Sequence, residues 1–247
     1  MDERHAEIRG LDAAQPVIVV SPHLDDAVFG CGQLLAVRPG SVVITIFAGA
    51  PPTYEAVTEW DALAGFQPGD DVLAARRAED VHALAALRAH PIWLDFCDSQ
   101  YHRSPGIAEI ARALDRAIGE SHLRAIFIPL GLFHSDHHLT HAAALDVLRR
   151  RPDLAWFAYE EAMYRKIPNI VAERIVELHG EGIEPTPAGI SSACGHETKR
   201  RAIACYASQL RALVAPKKPG HEDALGTERY WSLAPRGQIS RGTPDAT

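Results

Sequence analysis

The sequence predicts an α/β fold: a Rossmann-like, doubly wound, mostly parallel sheet with helices on both faces and a less regular C-terminal third. Three observations carry this reading. Short Val- and Ile-rich runs alternate with helix-period segments through the first two thirds of the chain. Those runs are apolar at nearly every position, as in strands covered on both faces. No Gly/Ser linker or low-complexity tract divides the 247 residues, and 47% of them are hydrophobic, enough to bury one core. A single domain over 1–247 follows, with a Rossmann-like core at 1–160, C-terminal strands, helix and substrate loop at 161–235, and a frayed tail at 236–247.

The first strand is 16–21, where Pro16-Val17-Ile18-Val19-Val20 leads into Ser21, and the second is 41–47. A helix from Val72 to Arg88 precedes a third strand at 91–95. Ile107, Ile110, Ala111, Leu114 and Ile118 form one apolar helical stripe, closed by Gly119. The fourth strand, 124–129, is followed by a helix from Leu139 to Arg150 and a fifth strand at 154–159. Right-handed βαβ units in an order such as 3-2-1-4-5 make strands one and four neighbours, so the loops behind them face each other across one crevice. Residues 166–190 carry mixed signals, because Pro168, Pro185 and Pro187 interrupt any long element. One helix is expected from His196 to Leu213, a mobile loop at 215–227, and a short final strand over Glu228–Leu233.

A net charge of −7 argues against a nucleic-acid partner, which usually demands a basic face. No apolar run approaches the roughly 18 residues of a membrane span, and Met1 to Asp12 lacks the apolar centre of a signal peptide. The four cysteines (Cys31, Cys97, Cys194, Cys205) include no Cys-x-x-Cys pair. They read as reduced, small core residues of a cytoplasmic protein.

Chemistry concentrates behind strands one and four. Ser21-Pro22-His23-Leu24-Asp25-Asp26 follows the first strand, placing an imidazole and two adjacent carboxylates where open α/β sheets bind ligands. An Asp here also suits a plain helix N-cap. Phe133-His134-Ser135-Asp136-His137-His138-Leu139-Thr140-His141 follows the fourth strand, with four of the chain's 13 histidines packed into it. One of these imidazoles with His23 and a carboxylate makes a His₂Asp set, which leaves a catalytic zinc one open position. Spacing alone does not choose the histidine. His137 and His141 lie i, i+4, but His138 stands where a zincin needs Glu. No Gly-x-Ser-x-Gly elbow or phosphate loop exists, and Gly30-Cys31-Gly32 is too short for a dinucleotide site.

These two clusters, with Gly30-Cys31-Gly32, resemble the PIG-L/LmbE-like zinc N-deacetylases, whose motifs usually run His-Pro-Asp-Asp-Glu and His-x-Asp-His. Weaker similarities fall in the family's order: Arg76-Arg77-Ala78-Glu79, Asp98, Tyr159-Glu160-Glu161, Lys199-Arg200-Arg201-Ala202 and Tyr206-Ala207-Ser208-Gln209. The resemblance implies one Zn²⁺ per chain, with other divalent metals allowed, held by His23, Asp26 and His137. It implies Asp25 as general base and a cationic His134, oriented by Asp136, acting on the amide. Substrate contacts would be Arg76 and Asp98, with Trp60 as a stacking surface. Arg76 could equally pair with Glu79 or Asp80, and Trp60 could belong with Tyr54 and Phe66 to a local apolar cluster. Leu24 replaces the family's Pro and Ala27 its Glu. The implied reaction removes acetyl from an N-acetylated amino sugar or its conjugate, the partner being a small-molecule glycoside or amine; a homo-oligomer is left open. Other readings are an amidase of another acylated amine, a non-catalytic zinc or carbohydrate binder, and a metal-dependent phosphoesterase.

Overall fold

The computed structural model describes residues 15–54, 56–190 and 195–237. The apolar runs become β1 (Ile18–Ser21), β2 (Val42–Thr45), β3 (His90–Trp93), β4 (Ala125–Pro129) and β5 (Ala155–Tyr159). The segments between and after them form α1 (Asp26–Ala36), α2 (Glu59–Ala64), α3 (Val72–Leu87), α4 (Ile107–Ser121) and α5 (Ser135–Arg150). The last third adds α6 (Ile170–Gly180), β6 (Ile183–Ala188), α7 (His196–Ile203), α8 (Ala207–Leu213) and β7 (Tyr230–Pro235). All seven strands join one sheet in the order β3-β2-β1-β4-β5-β7-β6. Pairing is parallel from β3 to β5 and antiparallel at β7 and β6. β1 and β4 are therefore neighbours at the switch point, as the alternation predicts.

The unbroken apolar character of β1 reflects burial on both faces. Ile18 and Val20 join the core beneath α4 and α5, while Val17 and Val19 join the opposite core beneath α1 and α3. Alternate residues point to opposite sides, so one strand feeds two cores.

Several expectations change in the last third. Residues 166–190 hold α6 and β6. Pro185 and Pro187 are tolerated because β6 is the edge of the sheet; two residues apart, their missing N–H groups fall on the same side. The helix expected from His196 to Leu213 is broken into α7 and α8, with Tyr206 at the break and fully buried. Gly119 does not close α4, which runs to Ser121 and ends on His122 at φ 58°. The segment 215–227 contains a 3-10 turn, Glu222–Leu225, and Asp223 ties it to Arg165 (2.5 Å) and Lys166 (3.1 Å). Residues 51–70 contain α2. Cys31 is buried, but Cys97 and Cys205 are only partly so, and Cys194 lies outside the described residues, as does most of 236–247.

α1 positions the first motif. Its glycines permit close packing: a Cβ on Gly30 would lie 2.6 Å from Tyr159 Cδ2, and one on Gly32 2.6 Å from Lys199 Cγ. The helix kinks at Cys31 (φ −132°, ψ 15°). A buried ion pair sits at that kink. Glu228 accepts from Gln33 N (2.7 Å) and Leu34 N (3.0 Å), and Lys199 Nζ donates to Glu228 (2.7 Å) and to Phe29 O (2.8 Å). Removing one partner of a buried pair strands the other charge. Lys199→Met should therefore destabilise the protein by about 3 kcal/mol in urea unfolding. Lys199→Met combined with Glu228→Gln should recover part of that loss.

Candidate active site

The site lies at the carboxyl ends of β1 and β4, on the floor of a cavity of about 570 Å³. The turn after β1 is held by its own polar groups. Ser21 Oγ donates to His23 O (2.5 Å) and accepts from Ala27 N (2.9 Å), and Asp26 Oδ2 accepts from His23 N (2.9 Å). The Tyr206 hydroxyl lies 2.9 Å from Leu24 O and 2.7 Å from Asp80 Oδ1, so the turn is anchored through its backbone where Leu24 stands in place of Pro. Ala27 is fully buried in the core beneath α1. Asp25 occupies the N-cap position of α1 but makes no side-chain cap. Its carboxyl lines the cavity instead.

His23, Asp26 and His137 bring their donor atoms within 4.8 Å of one another. Nδ1 of His23 lies 3.1 Å, and Nε2 of His137 3.2 Å, from the same Asp26 oxygen. The far nitrogen of each imidazole meets another carboxylate: His23 Nε2 lies 3.1 Å from Asp136, and His137 Nδ1 lies 3.3 Å from Glu161. This arrangement fixes ring orientation and leaves one nitrogen of each ring for a metal. Two imidazoles and a carboxylate, each imidazole carboxylate-backed, fit Zn²⁺.

A second trio, His23, His134 and Asp136, is equally close, but its contacts are supporting hydrogen bonds. The Asp136 carboxylate accepts from Ser99 N (3.2 Å) as well as meeting His23. The resemblance had Asp136 orienting His134; its carboxylate instead orients His23. His134 is held by the helix backbone, its Nδ1 accepting from Asp136 N (3.2 Å) at the start of α5. An accepting Nδ1 puts the proton on Nε2.

Electrostatics separates these roles. Burial and the Asp26 charge push the Asp25 carboxyl up to about 7. Burial works against charging Asp26, yet His137 and His23 hold its carboxyl well below the usual range. Burial likewise opposes a charged His137, but Asp26 and Glu161 raise it to about 9; Asp98, Asp136 and Asp26 overcome burial at His23 in the same direction. A divalent cation among these donors takes the place of such protons. His134 moves the other way: burial and the charges of His23 and His137 lower it, which with its accepting Nδ1 runs against the cation implied by the resemblance.

The remaining sequence candidates line the same cavity. Asp98 reaches within 3.8 Å of His23 Nε2 and accepts from Gln100 N (2.9 Å). Arg76 pairs with neither Glu79 nor Asp80 but with Asp61 of α2 (2.7 Å), which also accepts from the Tyr101 hydroxyl (3.0 Å). Glu79 accepts from Ser208 N and Oγ, and Asp80 from Trp93 Nε1. Trp60 donates to Gln209 (3.0 Å) and packs against the core beneath α1. Glu161 stood in the sequence only as a motif letter. Its Oε1 also accepts from Gly131 N (2.9 Å) and Leu132 N (2.8 Å), so it fixes the loop before His134 as well as His137.

Fold and donor set together define a candidate metal centre at the switch point of a doubly wound sheet. The model of the PIG-L family, described as GlcNAc-PI de-N-acetylase, matches residues 18–148, more than half of the chain. The chain belongs to that family, and so to the N-deacetylase class of hydrolases. No curated protein matches it in sequence. Among solved structures it resembles the A40926 pseudoaglycone deacetylase Dbv21 at 26% identity and TM-score 0.71, over 91% of this chain and 98% of that one. It also resembles a triple mutant of a deacetylase of teicoplanin biosynthesis at 24% identity and TM-score 0.72, over 91% of this chain and all (100%) of the other. A third likeness, at 16% identity and TM-score 0.58 over 94% of this chain and 100% of the other, is to GalB, a 4-carboxy-2-hydroxymuconate hydratase from Pseudomonas putida KT2440. The fold alone therefore does not decide the reaction.

Replacing Glu161 by Gln keeps the hydrogen-bond acceptor for the loop and removes the negative charge behind His137. Zn²⁺ affinity should fall about tenfold in chelator competition, with the apo-protein melting within a few degrees of wild type. His141 tests burial away from the metal. Nδ1 donates to Pro129 O (2.7 Å), and burial and the Arg174 charge lower the ring to about 3. The unfolded chain takes this proton near 6.5, so stability is lost as pH falls from about 6.5 towards 3. The loss between pH 7 and 5 should be about 2 kcal/mol, and His141→Gln should flatten that part of the unfolding curve.

Proposed function

We propose that this protein is a zinc-dependent N-deacetylase that hydrolyses the acetamide of an N-acetylated amino sugar or its conjugate. The observation that carries the reading is Asp25: a buried carboxyl at a helix N-cap that makes no cap and faces the cavity beside the His23–Asp26–His137 trio. Zn²⁺ held by that trio would supply Lewis-acid activation of water and of the amide oxygen. Asp25 takes a proton from the attacking water. A carboxyl raised to about 7 suits a base at neutral pH and afterwards an acid towards the departing amine. His134 directs its Nε2–H at the amide oxygen, stabilising the negative charge that develops there. Asp136 and Glu161 keep the two ligand rings aligned.

The cavity has room for a monosaccharide and the start of what it is attached to. Asp98 offers acceptors to sugar hydroxyls. Arg76, through Asp61 and Tyr101, braces one wall, and Trp60 supplies an apolar surface on it. Glycosylated substrates find support in the likeness to an A40926 pseudoaglycone deacetylase and to a deacetylase in complex with teicoplanin. Among the described residues no helix is long and apolar enough to cross a membrane. Among the described residues three cysteines are free, which supports a reducing, cytoplasmic setting.

Acetate release from a panel of N-acetylated glycosides with added zinc tests the reading. Asp25→Asn should keep one zinc per chain and lose about 100-fold or more in kcat, whereas His137→Ala should lose the metal. Equal zinc loss in both variants would overturn the division of roles. Acetate release from no panel member, with zinc bound, would overturn the function.

A further inference from the structure

The loop from β4 to α5 reverses tightly just before His134. His134 N donates to Leu132 O at 2.7 Å, and the residue between them, Phe133, has φ 59°. A three-residue turn with its centre in the left-handed region is rare and strained. A bulky side chain is the least suited occupant of that region, and glycine the best. Packing does not explain the choice, because Phe133 is 64% exposed. Its ring leans on Tyr164, with centroids 5.3 Å apart and planes tilted by 32°, and both residues line the cavity. Ile167, 37% exposed, continues the apolar rim.

Position supplies the function. The reacting amide must reach the floor formed by Asp25, Asp26 and His137, next to His134. Whatever the sugar is attached to leaves the cavity past the exposed rim, where Phe133 stands one residue from that donor. We infer that Phe133 is a specificity-determining residue. With Tyr164 it forms an aromatic ledge that receives an apolar aglycone, aryl or alkyl, carried by the amino sugar. Strain in the turn and exposure of the ring then have a common cause: the ledge is completed by the substrate. The inference rests on the N-deacetylase reading.

The test compares an aryl N-acetylglucosaminide with free N-acetylglucosamine, in wild type and in Phe133→Gly. Wild type should favour the aryl glycoside through KM. In Phe133→Gly the ratio of kcat/KM values should fall about tenfold, while the melting temperature does not drop, since glycine relieves the left-handed strain. Calorimetry with the two deacetylated amines reads the same ratio without turnover. An unchanged ratio in the variant overturns the ledge, as does a lowered melting temperature with equal losses on both sugars, which would make the ring structural. Turnover of neither substrate, with the calorimetric ratio shifted by the variant, would sink the deacetylase reading and leave the ledge supported.

Discussion

One carboxylate oxygen organises the catalytic end of this molecule. Asp26 Oδ2 receives His23 N at 2.9 Å and lies within 3.1 Å of His23 Nδ1 and 3.2 Å of His137 Nε2. It thus joins the turn after β1 to the first turn of α5, more than a hundred residues later. That meeting requires β1 and β4 to be adjacent, which the sheet order provides. It also requires α1 to begin at Asp26 and no later, which the Ser21 hydroxyl and the buried Lys199–Glu228 pair secure from either side. Around this oxygen Asp98, Asp136 and Glu161 add further carboxylates near three imidazoles. Such an excess of buried carboxylate is stable only with cations among it, and a divalent metal is the most compact way to supply them.

The three imidazoles are alike in sequence and are told apart by what holds their second nitrogen. Carboxylates stand behind His23 and His137, so each ring turns a basic nitrogen inward and suits a metal. A backbone N–H stands behind His134, so that ring turns a proton inward and suits an oxygen. The proposed ligand and donor roles thus rest on neighbours as well as on motif letters. The same reasoning explains how a deacetylase and a hydratase can share this fold, since the sheet fixes only where side chains converge.

Legibility in the sequence followed the range of the interaction. The five parallel strands were readable because burial on both faces writes itself into consecutive residues. The two motifs were readable because the loops after β1 and β4 each carry several ligand types together. The edge strand β6 was hidden by Pro185 and Pro187, which look like breakers unless one knows the strand has a free side. The break between α7 and α8 was hidden because Tyr206 leaves the helical path to reach Asp80 and Leu24, contacts that no periodicity encodes. Arg76 found Asp61 fifteen residues earlier, across a loop no periodicity describes, and Glu161 gained its role only once β5 lay beside the loop after β4.

Three departures from local rules meet at the switch point. Asp25 leaves an N-cap unmade, Phe133 takes a glycine's conformation, and Glu161 Oε2 is buried with no hydrogen-bond partner. All three lie within the two loops at the switch point or directly behind them. Single departures occur elsewhere, as in the positive φ of Arg88, His122 and Asn169, beside conforming elements such as α2 and α3, which Thr58 and Asp71 cap. Folding alone would favour relaxing the first two positions, by a true cap and a glycine. That Asp25 and Phe133 both depart from what folding favours while lining one cavity is a physical reason to look for function there, beside the resemblance.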